Sequence, residues 1–200
     1  MNNSIVSQPD IALTELVANA WDAGATRVNI FIPDKKGDKL IIEDNGNGMS
    51  PSIIQDVWLT IGTDFKRGKN RKVSPIFNRV SFGNKGVGRL AVHKLAKRIT
   101  LETQAEGEMF SSRLTIDWVE LIASKEYIQD LEVSVETVAD QLFKKGKGTR
   151  IILDRLTTKK WTKKALKDLV RKIDNIKNPF SPNPNFNIKI KANDFHQEWI

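Results

Sequence analysis

The chain contains no cysteine, which excludes disulfides and thiolate metal sites together. Its two histidines, His93 and His196, stand far apart and argue against a histidine-built zinc centre. No apolar run reaches membrane-spanning length, and the opening MNNSIVSQPD lacks the charged-then-apolar pattern of a secretory signal. A soluble, cytoplasmic protein without a membrane partner is therefore expected, with the nucleus left open for a eukaryotic source. No internal repeat is visible. Two hundred residues with 40% apolar content suffice for one well-cored domain, or one domain with a modest extension.

Positive charge is plentiful, at a net +8, and it is unevenly placed. Between Lys144 and Lys177 there are thirteen Lys or Arg against Asp154, Asp168 and Asp174, and a second basic cluster, FKRGKNRK, covers residues 65–72. Segments of this kind suit a phosphate backbone, and they also occur as plain solvated faces. Both readings stay open for segment 144–177.

A helix is expected from Asp10, an N-cap after Pro9, through IALTELVANAWDA to a stop at Gly24. At about 100° per residue, Asn19 and Asp22 fall within about 40° of Glu15, opposite Leu13, Leu16, Val17 and Ala20. RVNIFIP and KLIIED read as an antiparallel pair of strands across the turn PDKKGD. Ser50 and Pro51 start a second helix, SPSIIQDVWLT. Residues 63–82 are basic and polar with little periodicity, a loop long enough to need a purpose. GNKGVG then leads into the helix VGRLAVHKLAK, followed by strands near RITLETQ, MFSSRLTIDW, LEVSVETV and GTRIILDRL. A basic helix, KKWTKKALKDLVRKIDNI, precedes the linker KNPFSPNPN and a closing strand, FNIKIKAND. Strands gathered in consecutive runs favour an α+β sandwich over a doubly wound parallel sheet.

Three constellations carry chemistry. Gly83, Gly86 and Gly88 precede a helix and can turn backbone N–H groups toward phosphate oxygens. Arg89 and Leu90 stand where a P-loop requires Lys and Ser or Thr, and the order G-x-x-G-x-G is not the dinucleotide fingerprint. Glu15 and Asn19, one turn apart, could supply a water-activating carboxylate and a magnesium-holding oxygen, or form a polar solvent face. Asp44, at the end of an apolar strand, can accept from an exocyclic amine such as that of adenine. Gly46 and Gly48 would let a flat base approach the backbone, and Met49 would add an apolar contact. The competing reading, a hairpin turn, sits poorly with a segment that runs straight into a helix start.

The motifs ELVANAWDAGA (15–25), DNGNGM (44–49), GNKGVG (83–88) and GTRI (148–151) together resemble the GHKL ATPase superfamily. That group holds type II topoisomerase subunits, ninety-kilodalton heat-shock chaperones, MutL and microrchidia proteins, and sensor histidine kinases. The resemblance implies an α+β, two-layer α/β sandwich of Bergerat type, with a mixed, largely antiparallel sheet covered by helices on one face. It also implies ATP and Mg2+ as ligands. Glu15 matches the general base, Asn19 the magnesium ligand, and Asp22 an acidic position near the nucleotide. Asp44 matches the adenine-reading carboxylate, with Gly48 and Thr149 completing water-mediated contacts to the base, beside Gly46 and Met49 as read above. Gly83, Gly86, Val87 and Gly88 match the phosphate-binding end of the ATP lid, about residues 63–85. Lys66 and Lys85, on or beside that lid, are read as phosphate or ribose contacts.

Because histidine kinases share the asparagine but usually lack a glutamate one turn before it, the resemblance favours an ATPase near the MutL, microrchidia and chaperone-like branches. It places the ATP-binding core at residues 1–155. Residues 156–200 would complete that domain or lead to a further C-terminal region. In the gyrase and MutL branches a lysine from a following domain reaches the γ-phosphate; the chain ends soon after FNIKIKAND, so slow turnover is expected of it alone. ATP-driven homodimerisation is implied as a switch in a larger machine, one acting on DNA or in genome defence. The alternative is an ATP-gated nucleic-acid or protein-binding module with little or no hydrolysis.

Overall fold

The computed structural model describes residues 9–33, 37–55, 92, 95–124, 134–157, 161–174, 186–192 and 195–199. Their order is α1 (Pro9–Asp22), β1 (Arg27–Ile32), β2 (Leu40–Asp44), α2 (Pro51–Ile53), β3 (Ala96–Gln104), β4 (Ser111–Asp117), α3 (Trp118–Ser124), β5 (Glu136–Val138), β6 (Gly148–Leu156), α4 (Lys163–Asp174), β7 (Asn187–Ala192) and β8 (Phe195–Trp199). One sheet of eight strands, ordered β5-β4-β3-β6-β2-β1-β7-β8, joins them. Only β1 and β7 pair in parallel among the described strands; the rest of the ladder is antiparallel. With helices on one face, this is a two-layer α+β sandwich.

Period-two alternation decides which face each strand buries. Leu114, Leu101, Ile151, Ile42 and Ile30 stand in register across five adjacent strands and form one apolar row under the helices. Each is buried, and full burial of a Leu or Ile contributes about 1.5–3 kcal/mol. From above, α1 adds Leu13, Leu16, Val17 and Ala20, and α4 adds Leu169 and Ile173. Trp21 meets Phe186 edge-on, with ring centroids 4.9 Å apart, and Trp161 is also a core residue.

Helix α1 ends as the glycine signal predicts. Gly24 takes φ 76°, and Gly24 N donates to Trp21 O and Ala25 N to Ala20 O. That pair of bonds is a Schellman cap. At α2, Ser50 is the N-cap, accepting from Ile53 N, and Pro51 opens the first turn; residues 56–60 of the expected helix lie outside the described residues. Thr162 caps α4 through Ala165 N, so that helix starts later than the basic run suggests.

Four boundaries differ from the pattern in the sequence. The helix expected to run through Lys97 gives way to β3 at Ala96, because Thr157 bonds the Leu95 carbonyl through both its amide and its hydroxyl. Strand β5 is three residues long, pairing only with Ser111–Arg113 of β4; residues 131–133 lie outside the described set. Helix α3 was not anticipated, although Asp117, whose Oδ1 accepts from Val119 N, and Glu120 form a D-x-x-E start. Strand β8 was also missed, and it extends the sheet beyond β7 through an irregular register.

Candidate functional site

Two residues beyond the apolar row, the same sheet face turns polar. Ser112, Thr103, Thr149 and Asp44 stand in register across β4, β3, β6 and β2. Asp44 and Thr149, two positions drawn from motifs about a hundred residues apart, are thus direct neighbours. Next along the row comes Val28 of β1, so polarity ends at Asp44.

The loop after Asp44 is tied down residue by residue. Asn45 Oδ1 accepts from Thr26 N at 2.9 Å and Arg27 N at 2.7 Å, while its Nδ2 donates to Thr26 Oγ1. Asn47 N donates to Ala23 O and Asn47 O accepts from Glu106 N, both at 2.9 Å. Lys147 Nζ donates to Asn47 Oδ1 at 3.1 Å and to Glu106 at 2.8 Å. Met49 N donates to Thr103 Oγ1, and the Met49 side chain packs against the core. Neither asparagine nor Lys147 was singled out from the sequence as a holder of this loop.

The glycines meet the chain itself. A Cβ on Gly46 would lie 2.9 Å from Ala23, and one on Gly48, at φ +66°, would collide with the Gln104 carbonyl. Close approach of backbone to backbone therefore requires both glycines, whether or not a base also approaches.

Asp44 is half-buried, and Gly46 N donates to its Oδ1 at 2.8 Å. Burial pushes its carboxyl up to about 7, the Gly46 bond pulling down and neighbouring Glu43 pushing up. Glu15, Asn19 and Asp22 are all partly exposed on α1, the face opposite its buried leucines. The bond from Asn47 to Ala23 joins the end of that helix to the Asp44 loop. Lys66, Gly83, Lys85, Gly86, Val87 and Gly88, with the expected lid, lie outside the described residues.

The face opposite the apolar row carries a ladder of alternating charge: Arg113, Glu102, Arg150 and Glu43 in register across four strands. Arg150 reaches Glu43 at 2.7 Å and Glu102 at 3.1 Å, and Arg113 reaches Glu102 at 2.7 Å. Burial works against the Arg150 charge, yet the bonds to Glu43 and the charge of Glu102 hold its pKa above the usual value. Glu43, without an assignable role in the sequence, is a rung of this ladder. Beside it a cleft of about 340 Å³ is lined by Lys39, Arg98 and Asp154 among others, on the side of the sheet away from Asp44.

An eight-stranded mixed sheet with an aspartate and a threonine paired at its polar edge, beside a capped helix, defines a two-layer α+β sandwich with a candidate site at that edge. Residues 6–149 match the model of the histidine kinase-, DNA gyrase B- and HSP90-like ATPases, and the chain belongs to that family. Within it the chain is similar to MutL. It is 39% identical to DNA mismatch repair protein MutL of Shewanella piezotolerans over 107 residues, 51% of this chain and 16% of that protein. To MutL of Thermosipho melanesiensis it is 30% identical over 138 residues, 69% and 24% of the two chains. A protein carrying the name type II restriction enzyme HgiDII, from Herpetosiphon aurantiacus, is 40% identical over 82 residues, 41% and 12%. The MutL ATPase domain of Aquifex aeolicus complexed with ADP shares the fold, with a TM-score of 0.52 at 18% identity, covering 93% of this chain and 60% of that one. The chain therefore spans a quarter or less of these curated relatives.

Proposed function

We propose that this chain binds ATP with Mg2+ and hydrolyses it to ADP and phosphate, as a conformational switch for a larger protein. The observation that carries this reading is the register pairing of Asp44 with Thr149 beside the helix bearing Glu15 and Asn19. In it, Asp44 accepts from the adenine amine, and Met49 and Thr149 border the base. Asn19 offers an amide oxygen to magnesium, a cation that takes one or two protein oxygens and completes its shell from phosphates and water; the donor set suits it. Bound there, magnesium would neutralise phosphate charge. Glu15 orients and deprotonates the attacking water, and Asp22 supports the same helix face.

Lid residues 63–85, with Lys66, Lys85, Gly83, Gly86, Val87 and Gly88, are assigned to the phosphates on motif alone. Closure of that lid would couple to homodimerisation. Similarity to MutL and to the protein named as a restriction enzyme supports work on DNA or in genome defence. The exposed face of α4, with Lys163, Lys164, Lys167 and Arg171, supplies a surface for nucleic acid.

Phosphate release with magnesium is the test, measured against protein concentration. Glu15→Ala should lower it at least a hundredfold while ATP still binds, and the parent rate should rise more steeply than linearly if turnover needs a dimer. A rate unchanged by Glu15→Ala would overturn the assignment of the base.

A further inference from the structure

Alternation along the strands turns every second side chain away from the core. On that outer face the Arg113–Glu102–Arg150–Glu43 row is closed, because Glu102 Oε1 accepts from Arg113 and Glu102 Oε2 from Arg150. Four residues further along β3 runs a second charged row, in which Arg98 stands in register between Asp117 and Asp154. Lys39, which precedes the Leu40–Leu153 pair, continues that row just before β2. Between the two rows lie Thr115, Thr100 and Ile152, which line the cleft of about 340 Å³ together with charges from both. That volume is within the range of small-molecule sites.

The second row is open. Asp117 receives Val119 N on one oxygen and Arg155 on the other, so Arg98 comes no nearer to it than 3.5 Å and its buried Nε has no hydrogen-bond partner. Lys39 is exposed, and among the described residues it has neither an acidic nor a hydrogen-bonding partner. Asp154 Oδ1 accepts from the adjacent Arg155 N at 2.7 Å, and Asp154 pairs with neither cation. Thr100 and Thr115 share a single hydrogen bond, which leaves one of their two hydroxyl protons to give.

Donors therefore outnumber acceptors in the cleft. Arg98 and Lys39 only donate, and the carboxylate oxygen left unengaged is Asp154 Oδ2. Two cations against one carboxylate leave a positive balance. We propose that this cleft binds an oxyanion, a phosphate or carboxylate group of a small molecule, with Arg98 and Lys39 as its charged contacts and the Thr100–Thr115 pair as its hydroxyl contact. Charge-assisted bonds from a guanidinium suit the paired oxygens of either group. The site faces away from Asp44 and does not depend on the nucleotide reading.

The experiment is calorimetric titration of the parent with inorganic phosphate and with succinate, at an ionic strength held constant by sodium chloride and with excess ADP present to occupy the nucleotide site. At least one of the two anions should bind; tighter phosphate identifies a phosphate ester as the ligand class, tighter succinate a carboxylate. Arg98→Gln should weaken binding roughly tenfold or more. Lys39→Gln, which removes an exposed side chain without partners and so spares the fold, should weaken it several-fold. Asp154→Asn keeps an acceptor for Arg155 N, removes the repelling charge and should tighten binding several-fold. Lys167→Gln, an equal loss of charge on α4, should leave binding unchanged and so separates local contact from net charge. Neither anion binding in excess of chloride, or equal binding in Arg98→Gln and Lys39→Gln, overturns the proposal. Weaker binding in Asp154→Asn overturns it too, because the carboxylate would then be a ligand contact.

Discussion

Asp44 combines two demands that pull on its proton in opposite directions. Burial pushes its carboxyl up to about 7, far above the 3.8 of a free side chain. The folded state then holds a proton that the unfolded chain releases near pH 4, so stability should decline as pH rises from about 4 to about 7 and level off above that. Denaturant titrations across that range check the slope, and Asp44→Asn, which keeps an acceptor for Gly46 N, should flatten it. The ionised carboxylate is the stronger acceptor for an amine, so ATP affinity should climb over the same interval in which stability falls. Asp44 was legible as a site residue because it ends an apolar strand. Thr103 was not, since a threonine inside RITLETQ looks like any other strand residue until its three partners are brought together.

At the scale of elements, the loop DNGNG shows how a short motif is shared between packing and recognition. Asn45 and Asn47 fasten it to the turn after α1 and to the β3–β4 turn, and Gly48 lies against Gln104. Gly48→Ala should therefore cost about 2–4 kcal/mol, combining a strained φ with a backbone collision. Gly107→Ala is the control: its φ is +88° but nothing lies within 4 Å of an added Cβ, so roughly 1–2 kcal/mol is expected. Urea unfolding of the two variants separates strain from collision. Strands with clean alternation, such as GTRIILDRL, lie where the pattern put them. Strand β8 and the start of β3 were hidden because pairing partners set them, Leu95 being captured by Thr157 and β8 by β7.

For the molecule as a whole, the two sheet faces and the outer helix face divide the work. One sheet face buries the core and ends in the polar edge at Asp44; the other is held by the Arg113–Glu102–Arg150–Glu43 ladder. On α4, Leu169 and Ile173 are buried while Lys163, Lys164, Lys167 and Arg171 are exposed. If that face meets DNA, reversing Lys163, Lys164 and Lys167 to Glu should weaken binding by tenfold or more. The slope of log affinity against log salt should also become shallower by about 3. Equal affinity before and after reversal would leave α4 a solvated face.

The sequence by itself determined the class of protein: four motifs in order resemble those of the GHKL ATPases, and alternation with consecutive strand runs marks an α+β sandwich, because period is a local property. It also placed Glu15, Asn19 and Asp22 on one helix face, since helical geometry needs no tertiary partner. Only the tertiary structure decided which residues become neighbours across the sheet. Strand register set Thr149 between Asp44 and Thr103 on one face, and Arg150 between Glu43 and Glu102 on the other. Register follows from how a whole face buries its apolar rows, and that information is spread over strands a hundred residues apart.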